Sequence, residues 1–147
     1  MTYSRTAKAR FTVSSWDEDV VVDLDGEEAG TKAGDMYYPN RGWTTARCAY
    51  DYTGDIEGRS LSTAFIAYKP DGAPFMGFEQ ITGSIDGHDG SFVLRSTGWQ
   101  DAGSVRATLE VVPGLGTGGL ETLRGEGEID ISGHSDDGYE LVLNYDL

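Results

Sequence analysis

Apolar and polar residues alternate with period two along most of the chain. Ala7, Ala9, Phe11 and Val13 alternate with Lys8, Arg10, Thr12 and Ser14, and Leu123 to Ile131 alternates in the same way. Tyr139, Leu141, Leu143, Tyr145 and Leu147 close the chain with a third such series. Period two sends successive side chains to opposite faces, so each run predicts a strand with one buried face. Turn signals at Gly54-Asp55, Pro70-Asp71-Gly72 and Gly87-His88 cut the centre into strand, turn, strand. The pattern predicts about eight strands, near 6–16, 44–53, 57–69, 74–85, 90–99, 104–112, 123–132 and 138–146. No stretch carries a helical period. The expected fold is all-β, a lipocalin-like meander closed into an antiparallel barrel, since closure removes the edge strands. Barrels of about eight strands are either filled by side chains or hold one small ligand.

Two segments break the alternation. Asp17 to Gly42 is acidic and then aromatic, and its Met36-Tyr37-Tyr38-Pro39 stretch is too apolar for a purely solvated loop. It is expected to fold as a flap over one barrel mouth. Pro113 to Leu123 is read as a crossover between the sixth and seventh strands.

Composition narrows the function. The 147 residues form one domain, 1–147, long enough for a core without staples. With 11 basic and 25 acidic residues the formal charge is −14, which repels nucleic acid and anionic membranes. Cys48 is the single cysteine, so no intramolecular disulfide forms and a reducing, cytoplasmic location is expected. No basic, apolar leader opens the chain, and no apolar run approaches the roughly 20 residues of a membrane span.

Several phrases mark a family. SWDE (Ser15 to Glu18), YTGDIEG (Tyr52 to Gly58), AYKPDG (Ala67 to Gly72), GSFVL (Gly90 to Leu94), VVPGLGTGGLETLRGEGE (Val111 to Glu128) and the closing NYDL carry the resemblance. In their order and spacing the chain resembles an uncharacterised bacterial domain-of-unknown-function family of small β-barrels, over nearly its whole length. Members of that family look like allene oxide cyclase in fold, so the resemblance implies a barrel and assigns no reaction. The chain departs from the family in its longer Asp19 to Trp43 segment. It also has Arg95-Ser96 where members carry Gln-His.

The turns set registers, and registers set faces. Turns at Gly87-His88 and around Asp71 place Glu79 opposite Ser96 and beside Ala64. One at Ala102-Gly103 places Ser96 opposite Leu109. The face that carries Ile66, Tyr68, Phe75, Glu79, Ile81, Phe92, Leu94 and Leu109 is then the interior. Its small members, among them Ser62, Ala64, Gly77 and Ala107, leave room for a cavity. A turn at Gly54-Asp55 brings Arg47 onto this face, where it would pair with Glu79. The opposite face carries Phe65, Met76, Phe78, Val93 and Trp99, with Arg95 opposite Glu110, and is expected to be a homo-oligomer contact.

Glu79 is the expected general acid/base, because apolar burial raises a carboxyl pKa, with Tyr68 and Arg47 as its polar companions. A buried structural carboxylate and a satisfied core tyrosine are the competing readings. Phe75, Phe92, Leu94, Ile66, Ile81 and Leu109 are the expected ligand-binding wall, capped by Tyr38 and Trp43 from the loop. The expected ligand is a small apolar organic molecule, turned over by cyclisation or isomerisation without cofactor or metal. A non-catalytic carrier or sensor, or a structural module with a filled barrel, are the alternatives.

Other motifs carry less. Gly114 to Gly119 formally fits GxGxxG, but a strand-like segment follows it rather than a helix. Asp23 to Glu28 lacks the spacing of a calcium loop. His88 and His134 fall in turns without metal-ligand spacing. Cys48 has no evident histidine partner, and no GxSxG is present.

Overall fold

The computed structural model describes residues 2–133, 135 and 137–147, so His134 lies outside the described residues. Eleven strands are present: β1 (Arg5–Asp23), β2 (Thr31–Ala33), β3 (Met36–Tyr38), β4 (Gly42–Gly54), β5 (Ile56–Tyr68), β6 (Ala73–Ile85), β7 (His88–Gln100), β8 (Ser104–Val111), β9 (Thr117–Gly118), β10 (Arg124–Ser132) and β11 (Tyr139–Asp146). Eight of them close a ring in the order β6-β5-β4-β1-β11-β10-β8-β7, with β7 returning to β6. Every ring pairing is antiparallel. This is the closed all-β barrel that the alternation predicts. Strand β9 lies outside the ring, paired to Gly90 and Ser91 of β7.

The acidic segment after residue 16 differs from its expectation. Strand β1 does not stop there but continues, paired with β4, as far as Asp23↔Gly42. Its β-branched Val20-Val21-Val22 run suits a strand. Asp17 and Asp19 face outward, 3.5 and 3.7 Å from the Arg47 guanidinium. The loop is therefore shorter than the acidic composition suggests, and it contains the β2–β3 hairpin.

The two ends of the barrel are built differently. One end carries the β4–β5 and β6–β7 turns and the 112–123 connection. There Ile56, Ile81, Ile85, Phe92, Leu94, Leu141 and Leu143 pack together, and Leu120 and Leu123 seal them from below. Strands come very close at this end: a Cβ on Gly83 would sit 1.8 Å from the Glu57 carbonyl oxygen. Glycine is the residue that permits such an approach. The β6–β7 turn is tight, with Asp86 and Gly87 both at positive φ, as a two-residue hairpin turn requires. The other end carries the β5–β6, β7–β8 and β10–β11 turns together with the β1–β4 extension. No helix among the described residues is long and apolar enough to cross a membrane.

Candidate functional site

The second end is hollow. A cavity of about 540 Å³ opens there, within the usual size range of small-molecule sites. It exists because the inward positions are small: Ala46, Ser62, Ala64, Ser96 and Ala107 line it. Its larger walls are aromatic, from Phe11, Trp16, Tyr50, Phe75 and Tyr139. Phe11 lies at the centre of an aromatic group, with ring centroids 5.3 Å from Tyr50, 5.6 Å from Tyr52 and 5.8 Å from Tyr139.

Glu79 stands where this cavity meets the packed end. It lines the cavity and is only 9% exposed. Tyr52 donates its hydroxyl to Glu79 Oε2 at 2.5 Å. Burial pushes the Glu79 carboxyl above its usual range, while Tyr52 and the neighbouring Ser60 favour the anion and offset part of that rise. Burial, and then the nearby carboxylate, hold the Tyr52 phenol well above its own usual value. The Ser60 hydroxyl is fully buried and completes no regular hydrogen bond. A carboxyl whose pKa is raised by burial in a largely apolar cleft binds its proton more tightly than a solvated one, the direction of shift that acid–base chemistry uses.

Arg47 is not its partner. The β4–β5 register pairs Cys48 with Ser62 and Arg47 with Thr63, one residue from the register that a Gly54-Asp55 turn sets. The loop has an odd number of residues, which exchanges the two faces and turns Arg47 to the outside. The other register errors are even. Glu79 pairs with Leu94 rather than Ser96, and Ala64 with Gly77, so the face assignments survive. Ser96 pairs with Leu109 as expected.

Of the expected ligand wall, Phe75, Ile66 and Leu109 line the cavity. Phe92, Leu94 and Ile81 do not. They point inward but lie in the packed end, almost wholly buried. Trp43 points outward and is 43% exposed. Cys48, whose thiol burial pushes up to about 11, also lines the cavity and stays protonated at neutral pH.

Tyr68 lies at the rim instead of in the cavity. Its hydroxyl donates to Glu18 Oε2 at 2.6 Å, and its ring lies 5.6 Å from that of Tyr38. Thr44 donates to the same oxygen at 2.5 Å, and Trp16 Nε1 donates to Oε1 at 3.0 Å. Glu18 is thus a second inward carboxylate, held by three side-chain donors, and the sequence pattern did not reveal it. An extra residue between Val13 and Ser15 bulges β1. Beyond that bulge Trp16 and Glu18, not their odd-numbered neighbours, turn inward.

The loop residues serve structure. Tyr37 donates to the Asp23 carboxylate at 2.7 Å, and Asp25 holds Asn40 and Arg41, so these carboxylates face protein donors. Gly114 to Gly119 belongs to the connection that seals the packed end. The outer face keeps Leu61, Phe65, Met76 and Phe78 exposed, whereas Val93 and Trp99 are half-buried. Arg95 and Glu110 pair there at 2.7 Å.

Residues 7–143 match the family described as "Protein of unknown function (DUF3224)". No curated protein matches the chain. Among solved structures, one similar fold is a DUF3224-family protein of unknown function from Shewanella oneidensis MR-1. It is 22% identical, with 97% of this chain and 96% of that one covered at a TM-score of 0.68. That likeness supports the barrel fold.

Proposed function

We propose that this chain, which belongs to the DUF3224 family, binds a small, largely apolar organic molecule in its barrel, with Glu79 as the proton-transfer group of a cofactor-independent isomerisation or cyclisation. One observation carries the reading: a buried carboxyl faces an unfilled apolar cavity in an otherwise packed barrel. Chemistry of this kind needs a shaped pocket to hold a reactive conformer and one group to move a proton. Tyr52, hydrogen-bonded to Glu79, positions it and holds the carboxyl's orientation. Candidate polyenes and polyketides should turn over with the wild type and not with Glu79→Gln, while binding is retained. Equal turnover by both would remove Glu79 from the chemistry.

A carrier or sensor is the second reading, favoured by Tyr52, which satisfies one Glu79 oxygen from within the fold. Binding without turnover of any candidate supports it. We further propose a cytoplasmic homo-oligomer packed through the exposed Leu61, Phe65, Met76 and Phe78. Sedimentation of Phe78→Asp against wild type tests that contact.

A further inference from the structure

The charges of the cavity define its ligand more narrowly. Among the described residues, the lining contains two carboxylates, Glu79 and Asp101, and no Lys, Arg or His. Asp101 caps its own turn, accepting from Gly103 N, Ser104 N and the Ser104 hydroxyl, and so sits at the rim. An anionic ligand would lie beside Glu79 without a counter-charge, an arrangement that a low-dielectric site penalises heavily. A cation meets the opposite situation. Tyr52 takes one acceptor position on Glu79, and a carboxylate offers about four. The aromatic residues Phe11, Trp16, Tyr50 and Phe75 line the same space, and the faces of aromatic rings attract cations. At the rim Glu18 adds a further negative group, and the net charge of −14 draws cations to the surface at long range.

We infer that the cavity takes an amphiphilic organic amine, its apolar body against the aromatic walls and its protonated nitrogen on Glu79. The inference rests on the ligand-binding reading above and narrows it to one charge class. The ammonium replaces the solvation that Glu79 lost on burial, so carboxylate and cation stabilise each other in the site. No bond is made or broken in this step.

Three probes of one shape and different charge test it by calorimetry at pH 7: 2-(1-naphthyl)ethylamine, 2-(1-naphthyl)ethanol and 1-naphthylacetate. The amine should bind at least about tenfold more tightly than the alcohol, and the carboxylate more weakly than either. In Glu79→Gln the advantage of amine over alcohol should vanish while alcohol binding persists. Alcohol or carboxylate binding as tight as that of the amine would overturn the inference and leave the cavity reading standing. Failure of all three to bind would overturn both. The wild-type comparison decides the matter even if the variant does not fold.

Discussion

The two ends of this barrel are made by the same strands and differ in what those strands point inward. At the packed end β5, β6 and β7 contribute Ile56, Ile81, Ile85, Phe92 and Leu94. At the hollow end the same strands contribute Ser62, Ala64, Gly77, Ser96 and Gly98. The backbone is continuous across the boundary, and the smaller inward side chains at the second end leave the space that the large ones fill at the first. Stability and ligand binding are thereby separated along the barrel axis. Glu79 sits on the border, where it has both the burial of a core residue and access to the cavity.

This division is open to direct attack. Leu94→Ala, deep in the packed end, should cost about 2–5 kcal/mol of unfolding free energy by denaturant titration. Leu109→Ala, where the removed side chain borders existing empty space, should cost less. Equal losses would erase the distinction between the ends.

Glu79 gives the next largest expected effect, through pH. Its carboxyl is pushed up by burial, so the folded state binds this proton more tightly than the unfolded state. The contribution of Glu79 to stability is therefore fully present below the unfolded carboxyl range. It is lost as pH rises through the folded pKa. Glu79→Gln lacks that loss, so its stability relative to wild type should improve from acid to neutral pH. Parallel stability–pH curves for the two proteins would show that Glu79 is not held in its neutral form by the fold.

Smaller effects are expected from Ala64→Phe and Arg95→Ala. A ring at Ala64 enters space that is already empty, so stability should change by no more than about 1 kcal/mol. The Arg95–Glu110 pair is exposed and solvent-screened, so its loss should cost about 0–1 kcal/mol. A large loss from either, measured in denaturant, would mean that the hollow end or the outer face carries more of the fold's stability than the division allows.

The barrel was legible in the sequence because alternation survives most errors of detail. Misplacing the β6–β7 turn by one residue shifts the register by two and leaves Glu79, Ile81 and Phe92 facing inward. The β4–β5 loop shows the opposite case, since a register error of one residue exchanged the faces and removed Arg47 from the site. Two features of the site had no signal in the pattern. Tyr52 reaches Glu79 across strands, a contact set by the coiling of the sheet and the bare backbone at Gly58, its partner on β5. Glu18 turns inward only because β1 bulges at Ser14, and a bulge leaves no mark in the alternation around it. The sizes of inward residues hinted at a cavity, but its position at one end depends on how the strands tilt within the ring. Hence Phe92, Leu94 and Ile81 were placed on the right face and at the wrong depth.

The most direct test of the central claim is calorimetric titration of 2-(1-naphthyl)ethanol, a neutral probe, into wild type and Ala64→Phe. A site in the hollow end predicts saturable one-to-one binding by the wild type. It also predicts at least about tenfold weaker binding by the folded, equally stable variant. Equal affinity in the two proteins, or no saturable binding by the wild type, would contradict it.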